Sequence, residues 1–181
     1  MANALTTLRV FLILPFVFFM AKADSGSGAA ALIIWMVALT TDVLDGPIAR
    51  RRGTVSAIGG MFDHATDFLF VTGGIAACAW RGAFPWVLPI CIAAAFAQYV
   101  IDSYWIHARA GLRASKLGRY NGMLYFAPPC VDALIRLGAG FLRPLLRVFV
   151  WALVVSTIVS MLQRLTYRRL SENLASRSPQ K

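Results

Sequence analysis

Apolar residues run along the chain in six stretches, at 4–21, 29–49, 57–79, 86–108, 120–142 and 145–165. Each is close to the ~20 residues that a helix needs to cross a hydrocarbon core about 30 Å thick. The gaps are short: 24–28 is polar and Gly/Ser-rich, 81–85 holds Gly82 and Pro85, and Arg143-Pro144 parts the fifth stretch from the sixth. No linker divides the chain and no internal repeat appears. The pattern predicts an all-α integral membrane protein, a six-transmembrane-helix bundle in one domain over 1–170, with a polar, disordered tail over 171–181.

Composition sharpens this picture. The chain has 181 residues, 59% of them hydrophobic and 14% charged, which excludes an ordinary water-soluble domain. The net charge of +10 is spread between the apolar stretches, which suits anionic lipid headgroups and phosphate substrates rather than nucleic acid. Thirteen of the 18 basic residues, from Arg9 to Lys181, fall on one set of loops, so the positive-inside rule places both termini in the cytoplasm. Arg9, an apolar run and Ala21-Lys22-Ala23 imitate a secretory signal. A single basic residue at its start, and the inconsistent loop charges that removal would leave, favour a retained helix. Cys78, Cys91 and Cys130 stand far apart inside apolar runs and read as packing residues.

The acidic residues carry the chemistry. Six of the eight lie inside apolar stretches, where a carboxylate costs several kcal/mol and so faces a cavity, a metal or a partner. Asp42 and Asp45 are spaced i, i+3 near the end of the second stretch, and Asp63 and Asp67 i, i+4 near the start of the third. Each pair shares a helix face. The connection 50–56 is short enough to make the two helices antiparallel neighbours, so that the four carboxylates converge. They cannot all stay ionised at close range without cations, and an all-oxygen set selects one or two Mg²⁺, with Mn²⁺ or Ca²⁺ competing. Zinc fits less well, because His64 points off the face that Asp63 and Asp67 share. Gly46, Ala49 and Gly59 are small enough to let a bulky ligand approach, and Arg50 offers a fork for phosphate. Close helix packing and positive-inside anchoring would account for these residues singly, though not for their combination with four aspartates.

The run Asp42-Val-Leu-Asp45-Gly46-Pro-Ile-Ala49-Arg50, followed after eight residues by Gly59-Gly-Met-Phe-Asp63-His-Ala-Thr-Asp67, resembles at every fixed position the signature of the CDP-alcohol phosphotransferase (CDP-alcohol phosphatidyltransferase) family. The resemblance implies transfer of a phosphatidyl group from CDP-diacylglycerol to an alcohol with release of CMP. It further implies that Asp42, Asp45 and Asp63 ligate two Mg²⁺ or Mn²⁺ ions, and that Asp67 touches a metal and takes the proton of the attacking hydroxyl. Asp42, Gly46, Ala49, Arg50 and Gly59 would line the CDP site, with Arg50 on the pyrophosphate. A homodimer in the inner membrane, its active site facing the cytoplasm, is also implied.

The acceptor is less defined. Arg109, Arg113, Lys116 and Arg119 form a basic cluster suited to a phosphorylated alcohol such as glycerol 3-phosphate, and topology alone would also explain them. Ser115-Lys116-Leu117-Gly118-Arg119 is similar in part to the basic segment of phosphatidylglycerophosphate synthases. Asp63-His64 instead resembles the choline and ethanolamine branch. Phosphatidylglycerol, serine and inositol phosphate stay open as acceptors, as does choline or ethanolamine transfer with a CDP-alcohol as donor. Asp102, with Tyr99, Tyr104 and His107, reads as hydrogen bonding between helices or as an acceptor contact. Asp132 and Arg136 are spaced for a structural ion pair, and Trp80 and Trp86 for interface anchors. The rival class is a small cation transporter, whose carboxylates would lie along a path at mid-bilayer.

Overall fold

The computed structural model describes the backbone of residues 2–51, 57–106 and 116–177, and the side chains of 7–41, 62–101 and 117–166. These residues are helical almost throughout: α1 (Ala2–Met20), α2 (Ser25–Arg51), α3 (Ala57–Trp80), α4 (Val87–Ile106), α5 (Lys116–Leu124), α6 (Ala127–Arg136), a single 3-10 turn (Gly140–Leu142) and α7 (Arg143–Arg177). Four of the predicted stretches match α1 to α4 within a few residues. The fifth does not form one helix. Pro128 and Pro129 carry no amide hydrogen for the carbonyls of Leu124 and Tyr125, so α5 stops and α6 starts afresh with proline in its first turn. Trp35 of α2 donates its Nε1 hydrogen to the carbonyl of Phe126, the residue that caps α6, at 3.0 Å. The last helix, in turn, continues through Arg177, past Ser171 where the tail was expected to lose order.

Local signals set the helix ends. Asp24 caps α2, its Oδ1 accepting from the Ser27 amide and its Oδ2 from the Ser27 hydroxyl, both at 2.8 Å. These bonds, the amide first, hold the Asp24 carboxyl below the usual carboxylate range. After α3 and α6 the chain turns through Gly82 (φ 80°) and Gly138 (φ 116°), the left-handed conformation that favours glycine. The following amides, of Ala83 and Ala139, donate back to the carbonyls of Cys78 and Leu134.

The core forms around α1. Among the described residues α1 packs on both α2 and α3. Phe16 of α1 stacks on Phe70 of α3, ring centroids 4.1 Å apart, and Gly73 and Gly74 leave the space that Val17 and Phe16 occupy. On the other flank α4 and α7 pair, while α6 fits between α2 and α7. The segment Gly140–Thr166 is long and apolar enough to cross a membrane, and Thr7–Met20, Ser25–Thr41 and Val87–Ile101 are shorter apolar helices. Large apolar side chains such as Phe11, Leu14, Ile33, Phe141 and Val148 are exposed, as expected of surface that meets lipid rather than water.

Three charged residues tie the far end of α1 in place. Arg81, just past α3, donates from Nε to the Met20 carbonyl at 2.9 Å and pairs through Nη2 with Asp132 of α6. Arg136 lies with Nε 3.2 Å from the same Asp132 oxygen, and from Nη1 donates to the carbonyls of Phe19 at 3.0 Å and Lys22 at 2.9 Å. The predicted Asp132 and Arg136 pair is therefore present, and Arg81 is an addition to it. The two arginines donate to carbonyls at the end of α1, where helical partners run out; the Phe19 carbonyl also accepts from the Lys22 amide at 3.4 Å.

Candidate active site

The opposite end of α1 and α3 holds the acidic site. Asp63 and Asp67 stand one helical turn apart, and their half-exposed carboxylates point to one place. Arg9 of α1 fills that place. Its Nη1 donates to Asp63 Oδ1 at 3.0 Å and, more closely still, to Asp67 Oδ1, and its side chain is only 1% exposed. Arg9 had been read as one more positive-inside loop residue; in the structure it is a core residue. A guanidinium removed from water costs several kcal/mol unless paired, and two carboxylates one turn apart repel without a cation between them, so each solves the other's problem.

A single cationic nitrogen that reaches both Asp63 and Asp67 shows that the pair can converge on a cation, and the donor set is oxygen, as Mg²⁺ and Mn²⁺ require. The described side chains by themselves contain no group of three or more metal-ligating residues. The side chains of Asp42, Asp45, Gly46, Ala49, Arg50 and Gly59 lie outside the described residues, although the backbone at these positions is helical, in α2 and α3. His64 is exposed, in line with its place off the shared face.

Of the expected acceptor residues, Arg109 and Arg113 and the side chain of Lys116 lie outside the described set, as do the side chains of Asp102 and Tyr104 and all of His107; Arg119 is exposed on α5. The structure adds neighbours that the sequence analysis passed over. Ser156, Ser160 and Arg164 recur every fourth residue along one face of α7. Ser156 donates to Asn121 Oδ1 at 2.7 Å, Gly118 of α5 sits against Ser160 and Arg164, and the Arg164 guanidinium lies 5.6 Å from the Tyr99 ring centre. Asn121 Nδ2 is buried without a hydrogen-bond partner among the described residues. A polar stripe at four-residue spacing within an apolar helix is the signal that could have found this group.

Among the described residues the chain is helical almost throughout, with one helix long and apolar enough to cross a membrane and, at one end, two carboxylates paired with a buried guanidinium. The family then follows: residues 1–162 match CDP-alcohol phosphatidyltransferase, and the chain belongs to that family, whose members depend on metal. It is similar to "Cardiolipin synthase (CMP-forming)" of Streptomyces coelicolor, at 28% identity over 67% of this chain and 57% of the relative. It is similar also to "Phosphatidylinositol phosphate synthase" of Mycolicibacterium smegmatis, at 30% over 80% and 66%. A third relative is "CDP-diacylglycerol--glycerol-3-phosphate 3-phosphatidyltransferase" of Mycoplasma genitalium, at 27% over 68% and 60%. The chain thus spans less than two thirds of the length of each of these relatives.

Proposed function

We propose that the protein is an integral membrane enzyme that moves a phosphatidyl group from CDP-diacylglycerol to an alcohol with release of CMP, and that the alcohol is glycerol 3-phosphate. The observation that carries this reading is the convergence of Asp63 and Asp67 on one cation position in a chain that matches the family over 1–162. Two Mg²⁺ or Mn²⁺ ions, held by Asp42, Asp45, Asp63 and Asp67, would neutralise charge on the transferred phosphate and on the leaving CMP. Asp67 accepts the proton of the attacking hydroxyl as its oxygen bonds to phosphorus and the bond to CMP breaks. Arg50 forks the pyrophosphate, while Asp42, Gly46, Ala49 and Gly59 line the CDP site. Arg109, Arg113, Lys116 and Arg119 take the phosphate of the acceptor, and Arg164, beside Gly118, extends that basic surface.

The same reading makes the chain one domain over 1–170 with six spans, both termini on the cytoplasmic side of the inner membrane, and two copies per assembly. A site at the cytoplasmic interface lets acyl tails remain in lipid while the nucleotide and metals remain in water. Inositol phosphate is the second acceptor reading, because the relative named for it aligns with 80% of this chain and both acceptors present a phosphorylated alcohol to a basic cluster. CMP release by purified protein, given CDP-diacylglycerol and Mg²⁺ or Mn²⁺ with each alcohol in turn, tests these readings. Release with glycerol 3-phosphate supports the first, and release with inositol phosphate alone replaces it by the second. Silence with glycerol 3-phosphate, inositol phosphate, phosphatidylglycerol, serine, choline and ethanolamine refutes phosphatidyl transfer. Mn²⁺ flux into liposomes without CMP release would assign the carboxylates to transport.

A further inference from the structure

The least accessible large side chain at the acidic site is a cation. Arg9 stands in α1, outside the stretch 42–67 that carries the family signature, and is 1% exposed. One nitrogen, Nη1, serves Oδ1 of both Asp63 and Asp67, so the guanidinium sets the direction in which both carboxylates face. Its single positive charge meets two negative ones. The three groups together keep a net charge of −1, enough to draw a further cation but less repulsive than two bare carboxylates at this spacing. A carboxylate has two oxygens and several lone pairs, so it can serve an arginine and a metal together.

We infer that Arg9 is a built-in counter-cation of the metal site: it holds Asp63 and Asp67 together and aimed at one point in the metal-free protein, and passes part of that neutralisation to the divalent ion when it binds. The inference rests on the reading that these two aspartates hold metal. Arg9 acts through the aspartates and is a positioning residue. It also links α1 to the chemistry, because the distance from Arg9 to the carboxylates is set by how α1 seats on α3 through Phe16, Phe70 and Gly74.

The test is thermal stability of the full chain in detergent, measured in chelator and in saturating Mn²⁺, for wild type, Arg9→Met and Arg9→Lys. In Arg9→Met the ion must also replace the charge that Arg9 supplied, so Mn²⁺ should raise its melting temperature at least twice as much as it raises that of wild type; Arg9→Lys, with the charge but not the fork, should fall between. An equal loss in both conditions makes Arg9 a packed core residue only and overturns the inference.

Should Arg9→Met fail to fold, the comparison is made between Asp63→Asn/Asp67→Asn and the same pair carrying Arg9→Met, both in chelator. The triple variant should be the more stable, because the double takes two carboxylates away from a buried guanidinium; a triple that is less stable than the double overturns the inference. A wild type that Mn²⁺ does not stabilise overturns the metal reading and the handover with it. Stabilised wild type with no larger shift in the variant overturns the handover alone.

Discussion

Replacing Asp132 by leucine removes the carboxylate that stands between two buried guanidinium groups. The side chains of Asp132, Arg81 and Arg136 are 7%, 15% and 5% exposed, so none of the three can recover full hydration when its partner is lost. Breaking a buried pair by taking away one member costs about 3–5 kcal/mol. For a chain of this length that corresponds to a melting temperature lower by about 6–20 °C, at roughly 2–4 °C per kcal/mol. Replacing all three residues, as Arg81→Met, Asp132→Leu and Arg136→Met together, separates ion pairing from capping. Exchange of a whole buried ion set for apolar residues is often neutral or stabilising. Here Arg81 also serves the Met20 carbonyl, and a buried carbonyl left without a donor costs about 1–3 kcal/mol, so the triple variant should remain about 1–3 kcal/mol below wild type. Fluorescence-detected melting in detergent, using the five tryptophans, reads both variants. A loss under about 2 °C for Asp132→Leu would refute the buried-charge argument. A triple variant as stable as wild type would refute the capping argument.

Asp67→Asn should lower the rate of CMP release by about 10²–10⁴-fold, the usual contribution of a general base, with a melting curve that still shows a cooperative transition; turnover at the wild-type rate contradicts its role. Gly74→Ala places a Cβ against Phe16 Cε1, on a ring already stacked on Phe70, and should cost about 1–3 kcal/mol; Phe16→Leu in the same chain should recover part of it, and no recovery would locate the strain elsewhere. Asp24 titrates below its unfolded value because Ser27 hydrogen-bonds its charged form, so its contribution is full above the unfolded pKa of about 3.9 and is lost as pH falls through the lower folded value. The melting-temperature gap between wild type and Asp24→Ala should therefore be level near neutrality and close under acid; a gap that widens under acid would reverse the sign of the argument.

What the sequence made legible is local. Helices α1 to α4 follow from runs of apolar residues, the Asp63 and Asp67 pair from a spacing of one turn, and the Asp132 and Arg136 pair likewise, since spacing along one helix fixes which side chains share a face. The break in the fifth stretch was also written locally, in Pro128-Pro129, and was missed because hydropathy was weighed without the missing amide hydrogens. Arg9 and Arg81 were hidden for another reason. Their carboxylate partners lie 54 and 58 positions away for Arg9 and 51 for Arg81, and nothing near either residue in the chain tells an arginine that anchors a loop from one that enters a core. Only the seating of α1 on α3, and of α3 on α6, distinguishes them.

The fastening of α1 at both ends has a consequence for synthesis. This helix is made before its partners: the carboxylates that meet Arg9 follow 54 and 58 residues later, and the Arg136 guanidinium that closes over Phe19 and Lys22 follows 117 and 114 residues later. Until α3 arrives, α1 carries an arginine with neither of these counter-charges, and until α6 arrives its final carbonyls lack one of their donors. A helix made before its partners thus reaches its finished state only after them. Contacts of such long sequence separation fold slowly because the intervening loop must first be closed, so a nascent chain halted between α2 and α3 should hold α1 in an open, extractable form.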